Sequence, residues 1–195
     1  MSALTVDQHA HGGDWDGLVR LWEETDGPEG SKVEIIEGIV TVSPPPANRH
    51  NELIDLIQRR LYSVLPEDLG IYQTQGVAVP SRQGLYVPDL AVVPRTALRE
   101  PGNHIPAAAC ELVVEITSPS NAGHDRVAKP AGYARAQVPL YLLVDPHAPG
   151  VPTVTLYGEP KEDVYRVLAA TPFGGKVSLP QPFGLSLDTA DFPTD

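Results

Sequence analysis

Apolar and polar positions break the chain into short segments. Trp15, Leu18, Val19 and Trp22 recur at helical spacing and predict a helix over 14–24, with Asp14 as its cap. Residues 33–42 are rich in β-branched side chains around Gly38, which predicts a hairpin or a bent strand. The prolines at 44–46 forbid a helix until they end. From Asn48 or His50 to about 64, Leu53, Ile54, Ile57, Leu61 and Leu65 form one apolar stripe with Arg59 and Arg60 on the wet side. Asn48 is the expected cap and Pro66 the stop. Strands are expected over 71–79, 86–93, 111–117, 140–144, 153–157 and 164–169, with a shorter one over 176–179. A second helix is expected over 126–137. The pattern is α+β, with a strand-built centre.

Two acids interrupt apolar strands. Asp89 lies within YVPDLAVV and Glu115 within ELVVEITS. Alternation puts Leu112, Val114 and Ile116 on one face, and Val113, Glu115 and Thr117 on the other. A carboxylate set among valines and isoleucines is costly to bury unless it is paired or holds a metal. Strand-borne acids hold their oxygens rigidly, which suits a hard cation such as Mg²⁺. Such an ion polarises a phosphoryl oxygen and acidifies a bound water. Lys129 is the only lysine between Lys32 and Lys161 and follows the Glu115 strand. The ingredients of metal-assisted phosphodiester hydrolysis are therefore present. The plainer reading is that both acids sit at strand ends and pair with arginines.

Charge narrows the partners. The net charge of −11 argues against a protein that simply coats nucleic acid. The excess is in the flanks: residues 1–45 carry −7, residues 136–195 carry −4, and 46–135 is neutral. One cysteine, Cys110, excludes a disulfide scaffold or a cysteine-rich zinc site. No apolar run is long enough to cross a bilayer and no secretory signal is visible, so a cytoplasmic location and no membrane partner are expected. By organisation, 1–13 reads as a flexible tail, 14–171 as the folded domain and 172–195 as a Pro/Gly-rich C-terminal extension.

Five motifs in order resemble the Uma2 family of restriction endonucleases, a branch of the PD-(D/E)xK nuclease superfamily. They are VEIIEGIV (33–40), a Pro-rich turn leading to His50, PDL (88–90), ELVVEITSPS (111–120), and Lys129 with Tyr133 ahead of VPLYLLVD (138–145). The resemblance implies a restriction-endonuclease-like core, a mixed β-sheet flanked by helices, with Mg²⁺ or Mn²⁺ at acids on adjacent strands. It makes Asp89 the acid of the PD motif and Glu115 the acid of the (D/E)xK motif. Glu34 becomes a third metal ligand, and Lys129 the stand-in for the motif lysine. The superfamily's lysine position, two after Glu115, is Thr117 here. DNA is the substrate implied, and a homodimer the assembly, with the 141–144 strand or the C-terminal tail as its contact. The rivals are an inactive nuclease-fold protein serving as a binding or assembly module, and a small-molecule hydrolase with the same metal chemistry.

Other residues carry two readings. His50 is a proton shuttle near the metal, or a surface or capping histidine. Glu37 is the alternative to Glu34, and since the two face opposite sides of a strand only one can serve. Gln75 touches substrate or lies on a solvated face. Ser118 and Asn121 make turn hydrogen bonds rather than bind phosphate, Tyr133 and Tyr141 are core aromatics, Asp145 is a turn residue, and Cys110 is a small buried side chain. His9 and His11 make at most a weak metal pair.

Overall fold

The computed structural model describes residues 4–6, 14–119 and 121–194, the first three by backbone pairing alone. His9, His11 and Ser120 lie outside the described residues. In chain order the elements are β1 (Leu4–Val6), α1 (Trp15–Glu24), β2 (Lys32–Ile36), β3 (Ile39–Ser43), α2 (Asn48–Tyr62), β4 (Leu69–Tyr72), β5 (Gly76–Val79), β6 (Gly84–Tyr86), β7 (Leu90–Pro94), β8 (His104–Pro106) and β9 (Leu112–Ile116). A π-helical turn (His124–Ala128) then leads into α3 (Lys129–Arg135). The chain ends with β10 (Leu140–Asp145), β11 (Thr153–Lys161), β12 (Val164–Pro172), β13 (Lys176–Leu179) and β14 (Leu185–Asp188).

Two six-stranded sheets and a hairpin result. The main sheet runs β12-β11-β10-β9-β7-β4 and the second β1-β3-β2-β6-β5-β8, while β13 pairs with β14. In the main sheet β9 and β10 are parallel, joined by the crossover through α3, and the other pairs are antiparallel. This is the expected mixed sheet with helices on its faces.

The alternation along β9 sorts the core. Leu112, Val114 and Ile116 pack with Leu53, Ile57 and Leu61 of α2. Val113 faces the other way, with Tyr133, Tyr141 and Tyr86. The described part of the C-terminal stretch adds Val177, Leu179, Phe183, Leu187 and Phe192 to the α2 side. A third cluster holds α1 to the second sheet through Leu18, Ile35, Val40 and Leu85.

Several sequence expectations change. Residues 71–79 are not one strand: β4 and β5 belong to different sheets, separated by a bend with Thr74 at φ +58°. The 86–93 segment divides in the same way, because Pro88 lacks the N–H a ladder needs. The second helix begins at Lys129 rather than 126, the turn before it being π-helical. Ala47, not Asn48, occupies the cap position of α2. The 141–144 strand cannot be a dimer contact, since every residue of β10 is buried and β10 lies between β9 and β11. The 33–42 segment is a hairpin, turning through Glu37 (φ +51°) and Gly38 (φ +81°). That turn requires positive φ at both positions, which glycine meets without strain.

Candidate active site

The break between β6 and β7 builds the site. After Tyr86 the chain leaves the second sheet, passes Val87, Pro88 and Asp89, and enters the main one. Leu90 pairs with Val114 in antiparallel register, so one step further back Asp89 stands across from Glu115. The amide of Ile116 donates to Asp89 Oδ2 at 2.7 Å, which fixes the carboxylate at the strand end. From the second sheet, Glu34 on β2 reaches the same junction. Its Oε1 accepts the Val87 amide at 2.8 Å and lies 3.0 Å from Lys129 Nζ. Glu37 sits in the hairpin turn and pairs with Arg82 at 2.9 Å, so Glu34 is the inward-facing acid of the two.

Lys129 is the hub. Its Nζ lies 3.0 Å from Glu34, 3.1 Å from Glu115 and 3.0 Å from Asp125, and it donates a hydrogen bond to Glu115. It has no exposed side-chain surface. Asp125, on the π-helical turn, was not singled out from the sequence, although its i,i+4 spacing to Lys129 is a readable signal. Both Asp125 oxygens are buried and accept no hydrogen bond among the described residues, Oδ1 having only the ion pair with Lys129. The Tyr133 hydroxyl donates to Glu115 Oε1 at 3.0 Å, and the Tyr141 hydroxyl to the Asp125 carbonyl at 2.7 Å. The two core tyrosines therefore also brace the cluster.

The turn itself is tied down by Asp145, which is more than a turn residue. Its carboxylate accepts Thr117 Oγ1 at 2.7 Å and Arg126 Nε and Nη2 at 2.8 and 3.0 Å. Thr117, at the superfamily's lysine position, is thus occupied with Asp145. Ser118 and Asn121 make the expected turn bond, the Ser118 amide donating to Asn121 Oδ1 at 2.9 Å. Gln75 donates to the carbonyl of Gly76 at 3.0 Å. Cys110 is buried.

Asp89 faces outward to a cleft of about 370 Å³ lined by Lys32, Pro45, His50, Thr74 and Ser118, among others. Lys32 Nζ donates to Asp89 Oδ1 at 2.8 Å, and His50 Nε2 lies 3.0 Å from the same oxygen. Lys32 was not anticipated as a site residue, though it stands two positions before Glu34 on one strand face. On its other side His50 lines a second cleft of about 260 Å³.

Electrostatics separate the acids. Burial pushes the Asp89 carboxyl up, but Lys32 and His50 outweigh it and hold the group well below the ordinary aspartate range. Burial raises Glu115 well above the ordinary glutamate value, Lys129 offsetting only part of it while Asp125 and Asp89 add to it. Burial likewise pushes Asp125 up to about 6 against the pull of Lys129. Lys129 is held charged: burial opposes its charge, but Asp125, Glu115 and Glu34 more than compensate.

Four buried carboxylates, Glu34, Asp89, Glu115 and Asp125, thus face two ammonium groups, Lys32 and Lys129. The formal excess is two negative charges, which a divalent cation would balance, and the Asp125 oxygens, which accept no hydrogen bond among the described residues, fit the same reading. As they stand, no three His, Cys, Asp or Glu side chains among the described residues form a ready cation cage. The Lys129 ammonium stands among the carboxylates instead.

A mixed sheet with acids from neighbouring strands gathered around a lysine defines the class: a nuclease-fold protein. A solved structure of a putative nuclease of DUF820 from Anabaena variabilis shares this fold. It has a TM-score of 0.68 and 20% sequence identity, covering 91% of this chain and 96% of that one. The model of the Uma2 family, described as putative restriction endonuclease, matches residues 19–190, and the chain belongs to that family. No curated protein matches it. No helix among the described residues is long and apolar enough to cross a membrane.

Proposed function

We propose that the protein is a metal-dependent endonuclease that hydrolyses DNA phosphodiester bonds. The observation that carries this reading is the register that sets Asp89 across from Glu115, beside Glu34 and Lys129. Asp89, Glu115 and Glu34 are the residues to hold Mg²⁺ or Mn²⁺. When bound, the ion supplies positive charge at a phosphoryl oxygen and a water acidic enough to attack it.

The remaining work belongs to the chain. The Ile116 amide orients Asp89, the Val87 amide orients Glu34 and the Tyr133 hydroxyl orients Glu115. Lys129 offsets the repulsion among three buried acids and so sets where they point. His50, between two clefts and against Asp89, is the group able to carry a proton to or from solvent. A homodimer fits an enzyme that cuts both strands.

The test is cleavage of plasmid DNA with Mg²⁺ or Mn²⁺. Activity is expected with the cation, none with EDTA, and none in Asp89→Ala or Glu115→Ala. Activity undiminished in both variants would overturn the assignment.

One observation favours the rival, a nuclease-fold binding or assembly module: the Lys129 ammonium already stands within 3.1 Å of three of the four acids without an ion. A module of this kind takes up no Mn²⁺ at Asp89 and Glu115 and leaves plasmid intact.

A further inference from the structure

We propose that Lys32, rather than Lys129, is the lysine that meets a substrate phosphate, in the cleft beside Asp89. The proposal rests on the nuclease reading and names the phosphate-binding group of the same site. The first argument is the surroundings of the two ammonium groups. That of Lys129 is enclosed by three carboxylates at 3.0–3.1 Å and has no solvent exposure. No side of it is open to a ligand. Among the described residues Lys32 has one partner, Asp89 Oδ1 at 2.8 Å, and it keeps 23% of its side chain exposed in the cleft. Two of its three donors have no partner among those residues.

The second argument is charge. Among the described residues, Lys32, His50 and Asp89 are the only ionisable side chains lining the cleft, and the rest of its wall is proline, polar and aliphatic. In a chain of net charge −11, Lys32 is the one lysine or arginine lining this cleft among the described residues. A phosphate entering it meets a fixed ammonium next to the acid that faces Glu115. The volume, about 370 Å³, suits a nucleotide-sized group. The third argument is position. Lys32 and Glu34 are two apart on β2, so one strand carries both the cleft cation and an acid of the inner cluster. Lys129 is then a positioning residue.

The experiment is calorimetric titration with thymidine 3′,5′-bisphosphate in EDTA, on wild type, Lys32→Ala, Lys32→Arg and the exposed control Arg59→Ala. Melting curves verify that each is folded, and plasmid cleavage with Mn²⁺ is measured in parallel. Loss of a charge-assisted contact predicts about tenfold to a hundredfold weaker binding in Lys32→Ala. Arginine at 32 is expected to restore most of it, and Arg59→Ala to bind as wild type. Binding by Lys32→Ala equal to wild type, or no binding by wild type at millimolar bisphosphate, overturns the proposal. Binding that depends on Lys32 in a protein that cuts no nucleic acid upholds the phosphate contact while removing the nuclease reading. Cleavage intact in Lys32→Ala removes Lys32 and leaves the nuclease standing.

Discussion

The mouth and the floor of the site are built from the same residue types but behave differently. At the mouth, Asp89, Lys32 and His50 form a small group in contact with a cleft. On the floor, Glu34, Glu115, Asp125 and Lys129 are sealed, with relative exposures of 0–1%. The mouth acid is held ionised by Lys32 and the His50 contact, whereas burial raises the floor acids Glu115 and Asp125. The lesson is that the mouth can receive a ligand as it stands. The floor stores negative charge around one lysine, and its acids reach a bound cation only from behind Asp89.

Removing the floor cation should therefore have the largest effect on the fold. Lys129→Met leaves three buried acids without a counter-charge and is expected to cost about 3–5 kcal/mol in denaturant unfolding. A cost below 1 kcal/mol would break the contrast. At the mouth, Asp89→Asn keeps an acceptor for the Ile116 amide and loses only the charge. We expect about 1–2 kcal/mol of destabilisation together with loss of cation-dependent cleavage.

The contrast also has a pH signature. Asp125 is pushed from 3.8 up to about 6 in the folded chain. Between those values the native state holds a proton that the unfolded state has released, so this group's contribution to stability is full below about pH 4. It is lost as pH rises through about 6. Asp125→Asn should remove that fall, so urea midpoints of variant and wild type should diverge, in the variant's favour, from pH 4 to 7. Parallel profiles would contradict the assignment. The smallest effect is expected at the strut behind the floor: Thr117→Val removes one hydroxyl donor to Asp145 and should cost about 1 kcal/mol in a thermal melt.

Much of this arrangement is legible in the sequence wherever periodicity is strong. The stripe of Leu53, Ile57 and Leu61 and the alternation of Leu112, Val114 and Ile116 fall where the pattern puts them, on facing sides of one core. The acids in apolar strands, Asp89 and Glu115, mark the junction because burying them without partners is too costly. The apolar runs 71–79 and 86–93 mislead, since β-branched composition is the same whether a run serves one sheet or switches between two. Only Pro88 and the bend at Thr74 hint at the breaks. Asp125 hid in what reads as a loop, because a π-helical turn has no composition signature of its own. Lys32 hid because a lysine opening a strand looks like ordinary surface. Lys32 becomes visible only when the sequence-distant Asp89 is brought to 2.8 Å from it, whereas Asp125 left only its i,i+4 spacing to Lys129 as a clue.

Calorimetric titration of the metal-free protein with Mn²⁺ tests the central claim most directly. We expect one cation per chain in the wild type, and loss of that binding in Asp89→Ala and equally in Glu115→Ala. No uptake by the wild type, or uptake that survives both substitutions, would contradict a shared site at these two strands.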